Sequence, residues 1–302
     1  LKLSKKEILF LKKYKPWGII LFSRNIQSIK QARNLTSSIK RIYGNMNYPI
    51  LIDEEGGRVS RLSSLIENKS LNSEYYGKLY KKNYKKFLLY YGVHIKQICY
   101  LLKELGININ TVPVLDLKRY GSKNIIGDRS FSKNPKVVSK IGNICINLYK
   151  KYKICNVIKH IPGHGISKID SHFRLPIAKV KHQHLVKNDF KSFRKKKALF
   201  AMTAHIAYPH IDGLNPATLS NKLINIIRKN IGFQNLIITD DISMKALKYS
   251  FKSNVKKAYD AGCNLVLHCN GNIKEMNKLA KISPLLNLFI IKKTSEFYKL
   301  LS

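Results

Sequence analysis

Residues 159–172 read KHIPGHGISKIDSH, with three histidines, one proline and two glycines in fourteen positions. Pro162 removes a backbone donor and Gly163 and Gly165 loosen the chain, so the stretch predicts a loop and not a helix. His160 and His164 have the i, i+4 spacing of zinc ligands on a helix. Without a helix, and with no HExxH, CxxC or carboxylate-rich cluster beside them, no metal is expected. Asp170-Ser171-His172 suggests a dyad. A carboxylate beside an imidazole fixes its tautomer and favours its charged form. An imidazole with an unperturbed pKa of ~6.5 gives and takes protons near neutrality. Asp170 and His172 are therefore candidate acid–base residues, on a loop whose glycines let it move onto a substrate. The plainer alternative is a surface loop with incidental histidines.

Three other stretches carry chemistry. IITDDISMKAL (237–247) ends an apolar run with Asp240 and Asp241. One can serve as a nucleophile and the other as a cap for the next helix; spacing does not say which, and both can be caps. LIDEEGGRVSRL (51–62) leaves an apolar run into a Gly-Gly turn. Asp53 is placed there to accept hydrogen bonds from hydroxyls and Arg61 to donate them. NIIGDRSF (124–131) adds Arg129. Forked guanidinium donors suit polar ligands; the alternative is local ion pairing, such as Asp128 with Arg129.

These residues stand out against the composition. The 302-residue chain has 56 Lys and Arg against 17 Asp and Glu, a net charge of +39, and only ten of the bases are Arg. Such a charge usually suggests a nucleic-acid partner, but the lysines are spread through nearly every segment. Abundant Lys, Ile, Asn and Tyr point to an A+T-rich coding sequence, and no nucleic-acid partner is expected. The best polyanion candidate is 75–91, YYGKLYKKNYKKFLLYY, where bases and aromatics interleave; its plain reading is an amphipathic helix with Tyr and Leu inward. Against this background eight of the 17 acids remain in a few short stretches: Asp53, Glu54, Glu55, Asp116, Asp128, Asp170, Asp240 and Asp241. No run approaches a membrane helix, no signal peptide is recognisable, and five unpaired cysteines read as reduced thiols in a cytoplasm.

Seven apolar runs predict strands at 18–22, 48–52, 109–115, 156–159, 199–204, 235–239 and 264–268, with helices at 27–42, 86–105, 136–152, 220–230 and 251–261. Continuous apolar runs suit parallel strands buried on both faces. Polar residues follow the runs: Asp53, His160, His205 and Asp240. Strand ends converge on one site only if the strands close into a ring, so the expectation is α/β, a (β/α)8 TIM-type barrel in one domain over 1–302.

In order along the chain, GIILFSRN, IDEEGGRVSRL, PVLDL, IGDRSF, KHIPGHGISKIDSH, MTAHIAYPHID, PATLS, ITDDISMKAL and AGCNLVLHCNG resemble the bacterial β-N-acetylglucosaminidases of glycoside hydrolase family 3. The resemblance implies a (β/α)8 barrel and retaining release of terminal β-linked N-acetylglucosamine, in cell-wall recycling in the cytoplasm. It implies Asp240 as nucleophile, His172 as acid/base with Asp170 as its partner, and Asp53, Arg61, Arg129, Lys159 and His160 as sugar-binding residues. No cofactor is implied, and a monomer acting on an amino-sugar glycan, away from membranes, is expected. Rival readings are a phosphorylase of the same fold and a basic nucleic-acid-binding protein. The family begins with a short strand that this chain lacks; seven strands are counted, and about ten to twenty further native residues are expected before Leu1.

Overall fold

The computed structural model describes residues 2–119, 125–167, 171 and 173–302. Helix α1 (Lys5–Tyr14) precedes β1 (Ile19–Leu21), α2 (Ile29–Tyr43), β2 (Ile50–Ile52), α3 (Ser73–Lys82), α4 (Tyr84–Glu104) and β3 (Ile109–Asn110). Then come α5 (Pro135–Lys151), β4 (Cys155–Ile161), α6 (His182–Lys187), α7 (Asp189–Phe193) and β5 (Phe200–Thr203). The chain ends with α8 (Pro209–Asp212), α9 (Asn221–Ile226), β6 (Leu236–Asp241), α10 (Phe251–Ala261), β7 (Leu265–Leu267), α11 (Ile273–Ile282) and α12 (Leu288–Leu301).

All seven strands are parallel and lie side by side in chain order. The sheet curls. Leu51, Ile109, Val157, Phe200, Ile238 and Leu265, from six strands, form one inner cluster that Ile20 of β1 joins. Trp17, just before β1, reaches across to Phe200 of β5, with ring centroids 5.3 Å apart. A larger outer cluster, including Ile50, Ile158, Ala201 and Ile237, packs the opposite strand faces against the helices. Burial on both faces explains the continuous apolar runs.

The expected eight-stranded ring is not formed by the described residues: there are seven strands, and no ladder joins β7 to β1. Across that seam the Arg24 guanidinium donates to the Cys269 carbonyl, and α1 packs on α11. At the N-terminal ends of the strands α12 lies across the sheet. Ile290 and Phe297 enter the inner cluster, Thr294 Oγ1 accepts from Trp17 Nε1 at 2.9 Å, and Tyr298 Oη accepts from Asn45 Nδ2 at 3.1 Å.

Two expectations change. The 109–115 run is a strand only at Ile109–Asn110; Pro113 has no N–H for the ladder, and the chain rejoins β4 through a single bridge, Val114 to Lys159. Segment 75–91 is two helices, because Asn83 caps a new one by accepting from Lys86 N at 2.9 Å. Tyr76, Phe87 and Tyr91 point inward as expected, but Leu88, Leu89 and Tyr90 are exposed. All five cysteines are free. Among the described residues no helix is long and apolar enough to cross a membrane.

Candidate active site

The site is assembled at the C-terminal ends of the strands, where loops from separate strands meet. Asp53 follows β2, Lys159 and His160 lie in β4, His205 follows β5, and Asp240 lies near the end of β6. The loops after β2 and β3 supply Glu55, Arg61, Asp116 and Arg129.

Glu54 shapes the loop after β2. Its buried carboxylate accepts from Ser60 Oγ at 3.1 Å, Arg61 N at 2.6 Å, Leu62 N at 2.9 Å and Asn68 Nδ2 at 2.8 Å. Burial nevertheless pushes its pKa up. The fold-back returns Arg61 Nη2 to Asp53 Oδ2 at 3.0 Å, over the Phe22 ring at 5.3 Å. Asp53 also accepts from Thr111 Oγ1 at 2.6 Å and from the Lys159 ammonium. Burial works to raise the Asp53 pKa, but Lys159 and Arg61 outweigh it and hold the carboxyl well below its usual range.

Strand β4 is buried throughout even though it carries Lys159 and His160. Its register with β5 slips between Lys159 and Ile161. Lys159 turns to Asp53 and, at 2.6 Å, to Glu55 Oε1. His160 turns to Asp116: its backbone N and its Nδ1 both meet Oδ2, at 3.1 and 2.7 Å. The other Asp116 oxygen accepts from His164 N at 2.6 Å. Burial would raise the Asp116 pKa, and the His160 charge beside it brings the net shift below the ordinary value. Gly165 makes this turn possible: a Cβ there would lie 2.1 Å from the Leu117 carbonyl oxygen. Burial drops the His164 pKa to about 4.

Asp240 and Asp241 separate in role. Asp241 accepts from Ser243 N at 3.1 Å, from Ser243 Oγ at 2.9 and 2.8 Å, and from Cys269 N at 3.1 Å; it ties the turn after β6 to the end of β7. The Asp240 carboxylate accepts from Asp241 N at 2.8 Å. Burial raises its pKa, but the charges of His205 and His160, with Lys159 further down, hold it below the usual value. His205 is fixed between Thr218 Oγ1 at 2.7 Å and the Asp241 carbonyl at 2.9 Å.

Of the candidate residues, Asp53, Arg61, Arg129, Lys159 and His160 are brought into one linked constellation, and Asp240 lies within electrostatic reach of His160 and Lys159. Asp170 and His172 lie outside the described residues. Ser171, between them in sequence, accepts at its carbonyl from Ala246 N at 3.2 Å. Arg129 is paired with Glu55, and Asp128 with Arg58 at 2.8 Å, not with each other. Glu55, Asp116 and His205 had no individual role in the sequence; for the two acids, their survival in a basic chain was the signal. Thr111 carried none, inside an apolar run. His160 and His164 sit with ring centroids 5.8 Å apart, and no group of three or more metal-ligating side chains occurs among the described residues. Packed donors and acceptors suit a polyhydroxylated substrate, and the Asp240 carboxylate suits attack at a carbon centre.

Residues 2–289 match the glycosyl hydrolase family 3 N-terminal domain, and the chain belongs to that family. The β-hexosaminidase of Hydrogenovibrio crunogenus is 33% identical over 277 residues, which are 88% of this chain and 75% of that protein. The β-hexosaminidase of Nitrosomonas eutropha is 35% identical over 270 residues, 84% of this chain and 73% of that protein. The crystal structure of NagZ from Neisseria gonorrhoeae in complex with N-trifluoroacetyl-D-glucosamine superimposes with a TM-score of 0.87 at 29% identity, over 98% of this chain and 86% of that one. The protein is a glycoside hydrolase of the β-hexosaminidase kind.

Proposed function

We propose that the protein is a retaining exo-β-N-acetylglucosaminidase that removes terminal β-linked N-acetylglucosamine from muropeptide-type glycans in cytoplasmic cell-wall recycling. The observation that carries this reading is Asp240: a buried carboxylate at the end of β6 whose pKa, despite burial, is held below the usual range by His205 and His160. Such a group is ionised at neutral pH and faces the residues that would hold the sugar.

In this reading Asp53, Arg61, Lys159, His160 and Arg129 bind the sugar's hydroxyl and amide groups. Asp240 attacks the anomeric carbon while protonated His172, oriented by Asp170, donates to the departing oxygen. The glycosyl–Asp240 ester forms as the glycosidic bond breaks. Neutral His172 then takes a proton from water, whose oxygen attacks the anomeric carbon and releases Asp240. An imidazole thus does what a second carboxylate does in most retaining glycosidases. Related proteins named β-hexosaminidase and a NagZ structure bound to an N-acylglucosamine derivative support the sugar. The test is turnover of a chromogenic β-N-acetylglucosaminide, followed by trapping with a 5-fluoro or 2-deoxy-2-fluoro glycoside. A peptide labelled at Asp240 is expected; label on Asp241 or Glu55 overturns the assignment.

A further inference from the structure

Lys78 and Lys81 of α3 meet Lys118, Arg119 and Lys133, all three from the segment between β3 and α5, around a cavity of about 190 Å³. One carboxylate, Glu74, faces these five cations. It binds Lys78 at 2.9 Å and Lys118 at 2.8 Å, and those bonds, that of Lys118 foremost, hold its pKa below the usual range. Arg119 is anchored from behind by Asp189 at 2.6 Å. No carboxylate among the described residues pairs with Lys81.

Lysine is spread through the whole chain, so a basic residue here means little by itself. What distinguishes this place is concavity. Five like charges share one wall around a floor that includes Phe131 and Gly77, so their fields add in a recess. Gly77 lets α3 close that floor, since a Cβ would lie 1.7 Å from the Phe131 carbonyl oxygen. The wall is also the outer side of the active site. Lys118 N donates to the Ser132 carbonyl at 3.1 Å, and Ser130 Oγ donates to the Asp116 carbonyl at 2.7 Å, which stitches the two ends of that segment together. From the same segment Asp116 turns to His160 and Arg129 to Glu55.

We propose that this cavity is an oxyanion site, separate from the sugar site, that takes a phosphate or clustered carboxylates. Two sources share that chemistry: an acidic substituent on the aglycone of the glycan, which rests on the glycosidase reading above, and a free anion, which does not.

The experiment titrates pyrophosphate into the full chain by calorimetry, with Lys81→Glu, Lys81→Gln and, as control, Lys82→Glu. Lys82 is an exposed neighbour on the same helix that does not line the cavity. Saturable binding that weakens about tenfold in Lys81→Glu, less in Lys81→Gln, and not in Lys82→Glu supports the site. Absence of binding to the wild-type chain, or a loss shared by Lys82→Glu, overturns it, because overall charge then explains the result. Kinetics on neutral and carboxylate-bearing aglycones assign the source. A KM that rises in Lys81→Glu only for the anionic aglycone points to the substrate; unchanged KM values beside lost pyrophosphate binding point to a free anion. The pyrophosphate titration decides the site even if no glycoside is turned over.

Discussion

Arg129 grips Glu55 at two points: its Nε and Nη2 each stand 2.8 Å from a different oxygen of the carboxylate. The same carboxylate takes the Lys159 ammonium at 2.6 Å, and Arg129 Nη2 lies 3.5 Å from His160 Nε2. One acid thus sets the direction of two cations that belong to different strand ends. Burial works against its ionisation, but Arg129 and Lys159 outweigh that, and its pKa falls.

Removing that charge should therefore affect both stability and turnover. Glu55→Gln keeps the shape but leaves two buried cations short of a partner, a change of the kind that costs ~3–5 kcal/mol. A lower melting temperature is expected, together with a kcat/KM at least ~100-fold below wild type, since misplacement of about 1 Å costs that much. Wild-type kinetics in a folded Glu55→Gln protein would show that Arg129 and Lys159 need no such guide.

The two adjacent acids of β6 should differ in their effect on activity. Asp241 is used by Ser243 and the Cys269 backbone, so Asp241→Asn should lose ~1–3 kcal/mol of stability while retaining measurable turnover. Asp240→Asn should also lose some stability, because the fold holds that carboxyl below its usual pKa and so gains from its charge, but it should in addition lose activity by ~10⁴-fold or more. Chemical denaturation and steady-state assays on both variants check this; equal activity losses would remove the distinction.

Much of this arrangement was legible in the sequence. All seven apolar runs overlap an observed strand, because parallel strands buried on both faces need unbroken apolar residues. Asp53 and Asp240 stood out by following such runs. What could not be read was partnership. Lys159 finds Asp53 across 106 residues, and Glu55 finds Arg129 across 74; no local period encodes such pairs. Nor did spacing distinguish Asp240 from Asp241, which only the family resemblance separated, since the choice depends on Cys269 arriving from β7. The break at Asn83 was hidden because lysine and tyrosine continue through it, and only the Asn83 side chain's bond to Lys86 N marks the new helix.

His172 and Asp170 are proposed as acid/base and partner. His172→Ala and Asp170→Ala should slow substrates with poor leaving groups by ~10²–10⁴-fold and affect good leaving groups far less, since these need little protonation. A series of aryl glycosides of graded leaving-group pKa gives the answer. Losses of equal size throughout would mean that the two residues bind and do not transfer protons.

Helix α12 was not anticipated, and it closes the floor of the sheet. Phe297 is fully buried, with ring centroids 6.2 Å from Phe200 and 6.3 Å from Trp17. Phe297→Ala should cost ~3–5 kcal/mol and leave KM unchanged, because the floor lies at the end of the strands opposite Asp240. A raised KM in a folded variant would place α12 in contact with the site.

Stability should fall with acid in two stages, the first set by histidines. Burial lowers His94 and His164 to about 4, whereas an unfolded histidine titrates near ~6.5. Between those values the unfolded chain binds the extra protons, so stability is present above the unfolded pKa and is lost as pH falls toward the folded one. Each histidine contributes up to ~1.4 kcal/mol per pH unit in that window. The carboxylates of Asp53, Glu55, Asp116 and Asp240 are also depressed in the fold, but their contribution begins to fade only below the ordinary carboxylate range, near pH 4. Melting curves at pH 7, 5.5 and 4.5 should therefore shift downward before the depressed carboxylates of Asp53, Glu55, Asp116 and Asp240 titrate. His94→Gln removes one titrating ring, which packs on Tyr76 at 5.3 Å between centroids, and should flatten the slope without abolishing it, since burial lowers His164 and His205 as well. A melting temperature that stays level from pH 6.5 to 4.5 would mean that these histidines are solvated or paired well enough to protonate in place.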